Sequence, residues 1–360
     1  MVHYEFLTLV VVAMTALVHS HLECRTRTGQ EGRCVSIRQC PEIQALLQSI
    51  TNNRGQSDSI QWLRDSVCDL QDGTPKVCCE HRHNLESRGA SLLPSDCGRT
   101  VLADRIVGGV DASIFSWPWI VLLNGRNTRG NFWICGGVLI SDRYVLTAAH
   151  CVHGSSRFLL DFVRIGEHQL SRNPDCERRV CAPFPQDIRV EEIVVHDDYN
   201  RVRGCPRCHD IALLRLATPA QLNPAHVVPI CLPVNIEKDL GIVNNDFFSK
   251  FAWTAGWGTI DPARTVPADI LQEVFLPLDK TYCNTSSYPD PNMVLCAGGE
   301  GGDSCSGDSG GPLVMENPRV NINYVVGLVS NGPTVCGARQ TQGYYTNVYY
   351  YISWILRHLH

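Results

Sequence analysis

Residues 303–313 read Asp-Ser-Cys-Ser-Gly-Asp-Ser-Gly-Gly-Pro-Leu and place Ser309 in a glycine-rich turn. Glycine adopts backbone angles that other residues avoid, and it lets a ligand approach the chain closely. A serine hydroxyl is a weak nucleophile at neutral pH, so it needs a neighbouring base. An imidazole suits that role, and a buried carboxylate is needed to hold the imidazole in the correct tautomer. The turn therefore predicts a nucleophilic serine whose two partners lie elsewhere in the chain.

Two further short motifs supply those partners, Thr147-Ala-Ala-His150-Cys151 and Asp210-Ile-Ala-Leu-Leu214. The three motifs, in the order His, Asp, Ser, resemble those of the chymotrypsin-type serine endopeptidases. The resemblance extends from about Ile106 to the C-terminus. The resemblance implies that His150 is the general base, Asp210 the orienting acid and Ser309 the nucleophile. It also implies an oxyanion hole formed by the backbone N–H groups of Gly307 and Ser309.

Short apolar runs with turn residues between them recur through the same region. They are Trp119–Leu123, Gly137–Ile140, Tyr144–Ala148, Ile211–Leu216, Leu271–Leu278 and Tyr324–Val329. Such spacing predicts an all-β sandwich or barrel. At the end of the chain, apolar residues at helical spacing predict one helix; they are Val348, Tyr351, Ile352, Ile355, Leu356 and Leu359. The resemblance implies an all-β fold of two six-stranded β-barrels with a C-terminal helix.

Composition indicates the compartment. The 360 residues suggest two or three units, and the net charge of -5 argues against a nucleic-acid binder with a broad basic surface. Eighteen cysteines are far too many for an ordinary cytosolic enzyme and favour disulfides in a secreted protein. The apolar run Phe6–Val18 is too short to span a membrane and has the length of a signal-peptide core. A buried N-terminal helix or strand is the alternative, but the cysteines favour secretion to an extracellular fluid, with no membrane partner.

Six cysteines crowd the N-terminal region: Cys24, Cys34, Cys40, Cys68, Cys78 and Cys79. A domain this small needs cross-links, and the spacing lacks the paired pattern of zinc sites. The region, with its Cys78-Cys79 ending, resembles the clip domain of arthropod secreted proteases. That resemblance implies the pairs Cys24–Cys78, Cys34–Cys68 and Cys40–Cys79. The predicted organisation is a signal peptide at 1–20, a clip domain at 21–79, a polar linker and activation segment at 80–105, and a trypsin-like protease domain at 106–360.

Twelve cysteines remain. Resemblance to the protease family implies the pairs Cys97–Cys231, Cys135–Cys151, Cys283–Cys296 and Cys305–Cys336, the first of which would tether the N-terminal chain after cleavage. The simplest pairing of the other four is Cys176–Cys181 with Cys205–Cys208, and a cross-pairing of the two loops is the alternative. The short loop Cys205-Pro-Arg-Cys208, just before Asp210, is not expected from the family.

The segment Arg105-Ile106-Val-Gly-Gly matches the family's activation junction, so the protein is predicted to be a zymogen. Cleavage after Arg105 would free the Ile106 amino group, and family resemblance implies that this group pairs with Asp308.

In the protease family that this region resembles, the position six residues before the nucleophile, here Asp303, is the floor of the primary specificity pocket. A carboxylate at its floor pairs with a substrate guanidinium, which implies cleavage after Arg or Lys. Gly332 and Gly343 match the open walls of the pocket. Ser330, Asn331 and Gly332 match the segment that pairs with the substrate backbone, although the family usually has an aromatic residue at Asn331.

Residues 167–175 (EHQLSRNPD) resemble a calcium loop of trypsin-like enzymes. Glu167 and Asp175 would supply carboxylates, and Gln169 and Arg172 would supply backbone carbonyls. A solvated loop without metal is the alternative. Asn284-Thr-Ser286 is a glycosylation sequon, which makes Asn284 an acceptor candidate.

The two resemblances together imply a secreted serine endopeptidase zymogen of a clip-domain cascade in a haemolymph-like fluid, in prophenoloxidase activation (melanisation) or Toll-type signalling. It requires no cofactor beyond possible structural calcium. Its expected partners are an upstream activating protease, a downstream zymogen or cytokine-precursor substrate, and serpin-type inhibitors. Two rival hypotheses are a non-catalytic clip-protease adaptor, which the complete triad disfavours, and a digestive trypsin, which the clip module and Cys97 disfavour.

Overall fold

The computed structural model describes the chain outside residues 1–22, 27–28, 30, 38–39, 41–42, 44–45, 48–56, 70–74, 81, 101–109, 155–157, 178, 206, 262–265, 300–306 and 333–337. The predicted signal peptide, Arg105, Ile106, Asp303 and the Cys305–Cys336 pair lie outside the described residues. The chain divides into two compact units, residues 1–90 with 356–360 and residues 91–355. None of the helices in the described part of the chain has the length and hydropathy needed to cross a bilayer.

The chain is mainly β-structure with short helices. The strands, in chain order, are β1 Glu23–Arg25, β2 Glu31–Ser36, β3 Val67–Asp69, β4 Lys76–Glu80, β5 Val110–Asp111, β6 Ile120–Asn127, β7 Gly130–Leu139, β8 Tyr144–Thr147, β9 Leu159–Ile165, β10 Cys176–Glu177, β11 Val180–Cys181, β12 Gln186–Val195, β13 Ala212–Leu216, β14 Lys250–Gly256, β15 Thr259–Asp261, β16 Val266–Pro267, β17 Gln272–Leu278, β18 Val294–Ala297, β19 Pro312–Asn317, β20 Ile322–Asn331 and β21 Gly343–Asn347. The helices are α1 Ser57–Asp65, α2 Arg82–Ser91, α3 Ile236–Leu240 and α4 Ile352–Arg357, with 3₁₀ turns at Ala149–Cys151 and Pro291–Met293.

The first unit contains an antiparallel sheet in the order β1-β2-β4-β3. Three disulfides cross-link it, Cys24–Cys78, Cys34–Cys68 and Cys40–Cys79. These are the pairs that the resemblance to the clip domain implies. Among the residues that the structure describes, its buried apolar cluster is small: Cys40, Ile43, Leu46, Val77 and Cys79. A core of this size contributes little stability by itself, so the cross-links carry much of it.

Residues 82–91 form α2, in a stretch that the sequence pattern indicates to be a polar linker without helical periodicity. Leu85 is buried, and Gly89 lies so close to the backbone of Leu356 that a side chain at this position would collide with it. Short helices gain most of their stability from packing. The helix therefore depends on contacts with the C-terminal residues, which no local pattern reveals.

The second unit contains two six-stranded β-barrels, as the resemblance implies. The first is closed in the order β12-β13-β8-β7-β6-β9. The second runs β14-β19-β20-β21-β18-β17, pairing of β14 with β17 closes the ring, and β5 adds to the outer edge of β17. Each of the six predicted apolar runs overlaps a strand of these barrels. The all-β prediction is confirmed. Closed barrels suit short antiparallel strands, because closure removes the exposed strand edges that such strands would otherwise present.

The predicted C-terminal helix is confirmed as α4. Ile355 is buried within it, as its helical spacing predicts, whereas Val348 and Leu359 are buried but lie outside the helix, which is shorter than the predicted run. Trp354 is also buried, although the predicted apolar face did not include it.

The segment before the first barrel is held on the second unit by covalent and polar contacts. Cys97 forms a disulfide with Cys231, and Gly98 donates its N–H to the Pro229 carbonyl at 2.8 Å. The Gly98 carbonyl accepts from both the backbone and the side-chain amide of Asn323, each at 2.9 Å. With φ at 65°, Gly98 occupies the left-handed region, and a side chain here would collide with Asn323. A chain cut later in this segment would thus stay attached.

Candidate active site

His150 and Asp210 are brought together by strand pairing in the first barrel. His150 lies in the 3₁₀ turn that follows β8, and Asp210 lies two residues before β13, which pairs with β8 through Ala212 and Thr147. The His150 Nδ1 atom is 2.8 Å from Asp210 Oδ2, and the His150 backbone N–H donates to Asp210 Oδ1 at 2.8 Å. Because an ionised carboxylate only accepts, the proton of the neutral ring lies on Nδ1 and leaves Nε2 as the acceptor.

Asp210 is fully buried and is surrounded by donors from other parts of the fold. The Ser330 hydroxyl donates to Asp210 Oδ2 at 2.6 Å, and the Thr346 hydroxyl donates to the Asp210 carbonyl at 2.8 Å. The Arg207 guanidinium lies 3.8 Å from the same Oδ2 atom. A buried charge is tolerated only when it is paired and hydrogen-bonded. These contacts therefore supply the partners that a buried carboxylate beneath the imidazole requires.

Ser309 lies next to the same corner of the first barrel. Its carbonyl accepts from Gly136 N–H at 2.7 Å, while the Gly136 carbonyl accepts from the Thr147 hydroxyl at 2.8 Å. Gly310, with φ at 77°, lies so close to the Thr147 side chain that it tolerates no side chain of its own. Close approach of the two segments thus requires glycine directly after Ser309. In the described part of the chain, no hydrogen bond joins Ser309 to the His150 ring.

Gly307 and Asp308 form the turn that leads into Ser309. Gly307 has φ at 107°, a conformation that favours glycine, and a β-carbon on it would lie 3.0 Å from the Gly258 Cα atom. The Asp308 Oδ1 atom accepts from Gly258 N–H at 2.7 Å. Gly256 and Gly258 leave the space that the Asp308 carboxylate occupies, because a side chain on either would collide with it. The carboxylate therefore anchors the backbone on which an oxyanion hole would depend.

The predicted substrate-binding residues are partly described. Ser330 and Asn331 end β20, and Gly343 begins β21. Gly332 follows β20, and none of the described residues would contact a β-carbon at this position. Asp303 lies outside the described residues. The sequence assigned Ser330 to substrate binding, and the structure shows in addition that its hydroxyl is bound to Asp210. The contacts of the Ser330 and Thr346 side chains with Asp210 were not predicted, because these residues are 120 and 136 positions away in sequence. Arg207 is only three positions away, but its approach to Asp210 depends on the conformation of the cross-linked turn.

The candidate calcium loop brings two buried carboxylates together. Glu167 and Asp175 are 6% and 2% exposed, and both accept from the His168 N–H, at 3.0 and 2.9 Å. Burial, with the neighbouring Asp175 carboxylate, raises the pKa of Glu167 to about 7. Arg164 offsets this only in part, through a 3.2 Å contact with Glu167. Asp175 Oδ1 is buried and has no hydrogen-bond partner among the described residues.

That arrangement fits a hard cation, since such ions prefer oxygen ligands and an unsatisfied buried carboxylate oxygen is costly. The Gln169 carbonyl accepts one hydrogen bond, from Arg172 N–H at 3.0 Å, which leaves it a second lone pair. A second cluster, Cys135, His150 and Cys151, has metal-like spacing, but the two cysteines form a disulfide and offer no thiolate.

The remaining described cysteines form three short cross-links, Cys176–Cys181, Cys205–Cys208 and Cys283–Cys296. The first closes the β10–β11 ribbon, in which the two cysteines are paired directly across from each other. Local pairing of these loops, rather than the cross-pairing, is therefore what the structure contains. Asn284 is exposed, and its side-chain oxygen accepts from the Ser286 N–H at 3.1 Å, so the sequon lies on the surface.

Comparisons with known proteins agree with this geometry. The family described as Trypsin matches residues 106–355, and the family described as Regulatory CLIP domain of proteinases matches residues 24–79. The chain is 38% identical over 349 residues to the CLIP domain-containing serine protease HP8 of Bombyx mori, covering 91% of each chain. It is 35% identical over 380 residues to phenoloxidase-activating factor 1 of Holotrichia diomphalia, covering 98% of each. It is also similar to the crystal structure of the Drosophila Grass clip serine protease of the Toll pathway, with a TM-score of 0.64 and 31% identity, over 93% of this chain and 96% of that one.

Proposed function

Because the chain belongs to the trypsin family of serine proteases and carries an N-terminal CLIP domain, we propose that it is a secreted endopeptidase zymogen that cleaves after Arg or Lys. The observation that carries the proposal is the buried Asp210 carboxylate beneath His150, with the Ser309 turn packed on the same barrel corner. This is the constellation that acyl transfer needs.

In the proposed mechanism, His150 Nε2 takes the proton from the Ser309 hydroxyl as that oxygen attacks the scissile carbonyl. Asp210 holds the ring and stabilises the imidazolium that forms. The N–H groups of Gly307 and Ser309 bind the oxyanion, and the proton then passes from His150 to the leaving amine. An acyl-enzyme on Ser309 remains. Water then attacks its carbonyl as His150 takes a proton from the water, and the Ser309 oxygen leaves and recovers the proton from His150.

Activation is proposed to follow cleavage after Arg105. The new Ile106 ammonium group would pair with Asp308, whose carboxylate already contacts the Gly258 N–H. An ion pair there would lock the backbone of Gly307 in a conformation that aims its N–H at the oxyanion. The Cys97–Cys231 disulfide and the Gly98 contacts support retention of the N-terminal chain after the cut. The domain boundaries that go with this proposal are a signal peptide at 1–20, a clip domain at 21–79, a linker and activation segment at 80–105, and the protease domain at 106–360.

Specificity is proposed to depend on Asp303 at the floor of the primary pocket, with Gly332 and Gly343 along its walls. A carboxylate in that position would pair with the guanidinium or ammonium group of the substrate. The backbone of Ser330 and Gly332 would bind the substrate as an added strand. Within the described part of the chain, no atom lies within 4 Å of the position that a Gly332 β-carbon would take, which supports this role.

The setting proposed is an extracellular proteolytic cascade of the melanisation or Toll type. Relatives include a phenoloxidase-activating factor and a clip serine protease of the Toll pathway, which supports an upstream activator and a downstream zymogen or cytokine precursor. Serpin-type inhibitors are the expected regulators, and Asn284 is a proposed glycosylation site. No cofactor is needed for the chemistry. Structural calcium would be held by Glu167, Asp175 and the carbonyls of Gln169 and Arg172.

The test is to cut the purified zymogen at Arg105, sequence the new N-terminus and measure turnover of matched arginine and phenylalanine esters. The expected N-terminus is Ile-Val-Gly-Gly, with turnover of the arginine ester only after cutting. Absence of turnover from a correctly cut, folded protein would instead support the adaptor hypothesis. Incubating the active enzyme with candidate zymogens and sequencing their new N-termini would then identify the substrate.

A further inference from the structure

The Cys205–Cys208 turn has no part in the mechanism above, yet it lies directly before Asp210. Both cysteines are buried and disulfide-bonded, and backbone N–H groups of the turn donate to the carbonyls of Val202 and Cys205 at 3.1 and 3.3 Å. Arg207 lies inside this cross-linked turn. The disulfide therefore restricts the backbone that carries the Arg207 side chain.

The Arg207 side chain reaches the oxygen on which the triad depends. Its Nη1 atom is 3.8 Å from Asp210 Oδ2, which already accepts from His150 Nδ1 and from the Ser330 hydroxyl. At 3.8 Å the contact is too long for a hydrogen bond and acts through charge. Water screens the attraction between Arg207 and Asp210 only weakly at the Asp210 end, because Asp210 is fully buried. Screening is stronger at the Arg207 end, where the side chain is 35% exposed.

We propose that Arg207, held by the Cys205–Cys208 disulfide, is a positioning residue that acts through Asp210 to lower the basicity of His150 and extend activity toward acidic pH. This inference rests on the proposed protease function. The positive charge of the Arg207 guanidinium offsets part of the attraction between the Asp210 carboxylate and the protonated His150 ring. Protonated His150 is then less stable, and the ring becomes neutral, and able to accept a proton, at lower pH.

Other titratable groups near this site do not reproduce the effect. Tyr199 and Tyr288 also lie close to Arg207 and Asp210, and burial raises the pKa of both, to about 12 for Tyr288, so they stay neutral in the assay range. Tyr351 is likewise neutral, since burial raises its pKa. His209 follows the turn, but its ring contacts the Tyr351 hydroxyl at 3.2 Å and burial lowers its pKa. His153 packs edge-on against Tyr199, which itself lies close to Arg207, so its NMR titration is recorded together with that of His150.

The experiment measures kcat/KM against pH for the cut enzyme with Nα-benzoyl-arginine ethyl ester. This substrate has no residue beyond the arginine, so contacts of Arg207 with an extended substrate do not contribute. Arg207→Met should move the midpoint of the acid limb upward by about half a pH unit, the size expected for a partly exposed ion pair. Arg207→Lys should restore the wild-type midpoint, and Arg203→Met, which removes an exposed arginine nearby, should leave it unchanged. Salt near 1 M should shrink the difference between wild type and Arg207→Met.

A second readout does not need activity. In the Ser309→Ala background, the ring protons of His150 are titrated by NMR and assigned with His150→Gln, and the resonances of His153 and His209 are followed alongside. The His150 midpoint should rise by the same half unit in Arg207→Met. Coincident midpoints for wild type and Arg207→Met would overturn the proposal, as would a shift in Arg207→Lys equal to that in Arg207→Met. If the wild-type enzyme is inactive but the NMR shift is present, the proposed function fails while the electrostatic inference stands.

Discussion

Replacing Glu167 by glutamine is expected to stabilise the protein at alkaline pH when no calcium is present. Burial and the Asp175 carboxylate raise the pKa of Glu167 from 4.5 to about 7. The folded protein therefore holds a proton on this group more tightly than the unfolded chain does. The resulting penalty is absent below pH 4.5, grows as the pH rises toward 7, and is constant above that.

The size of the penalty follows from the difference of about 2.5 pH units between the two pKa values. At 1.36 kcal/mol per unit this is about 3 kcal/mol, and no large discount for solvent applies because the Glu167 side chain is only 2% exposed. In a unit of this length, 3 kcal/mol corresponds to a rise of about 6–12 °C in melting temperature. Calcium would offset the same penalty in the wild type, contributing about 2.7 kcal/mol at a hundredfold excess over its Kd.

The assay is thermal unfolding in the Ser309→Ala background, which prevents self-cleavage, at pH 4.5 and pH 8 with chelator or with millimolar calcium. In chelator, Glu167→Gln should melt higher than the parent at pH 8 and at the same temperature at pH 4.5. Calcium should raise the melting temperature of the parent at pH 8 and leave Glu167→Gln nearly unchanged. The matched control is Glu316→Gln, which removes an exposed carboxylate. Equal melting in chelator at pH 8 would refute the burial argument, and a parent that does not respond to calcium would refute the metal proposal.

Ser309→Ala should lose nearly all turnover of an arginine ester while keeping its melting temperature, because only the hydroxyl forms the acyl-enzyme; wild-type turnover in this variant would disprove the nucleophile assignment. Asp303→Ser should lose cleavage after Arg and Lys by about 10² or more in kcat/KM, because the substrate cation is left without a buried partner; an unchanged ratio of Arg to Phe ester turnover would assign the selection to another residue. Arg105→Gln should resist a trypsin-like activator on a gel and stay inactive. Asp308→Asn should be cut normally yet lose about 10² or more in kcat, as when an oxyanion-hole donor is removed; full activity in the cut Asp308→Asn protein would exclude the ion-pair mechanism.

The sequence was most informative where chemistry and backbone geometry are local. The turn around Ser309 needs glycine at fixed offsets, so the serine could be recognised without knowledge of the fold. Short apolar runs between turn residues predicted the strands, because each such run buries side chains inside a barrel. Helical spacing of large apolar residues predicted α4 for the same reason. The number of cysteines indicated a cross-linked protein, and resemblance to two families supplied most of the pairing.

Contacts between distant segments could not be derived in this way. The polar stretch at 82–91 becomes α2 because Leu85 is buried and Gly89 packs on the backbone of Leu356, and neither contact leaves a local pattern. The choice of Cys205–Cys208 over a cross-paired arrangement depends on where the turns lie once the first barrel has closed. The orphaned oxygen of Asp175 is likewise a product of packing around the loop.

The sequence by itself therefore determined which residue types are available for catalysis and which segments become strands, since composition, spacing and turn chemistry are properties of neighbouring residues. Only the tertiary structure decided what surrounds them. Packing of the second barrel against the first brings the Ser330 hydroxyl of β20 to Asp210 Oδ2, an oxygen that the Arg207 guanidinium also approaches from three residues earlier in the chain. The physical reason is that a buried carboxylate interacts with every donor within a few ångströms, and a donor from a distant segment such as Ser330 reaches it only once the two barrels have packed together.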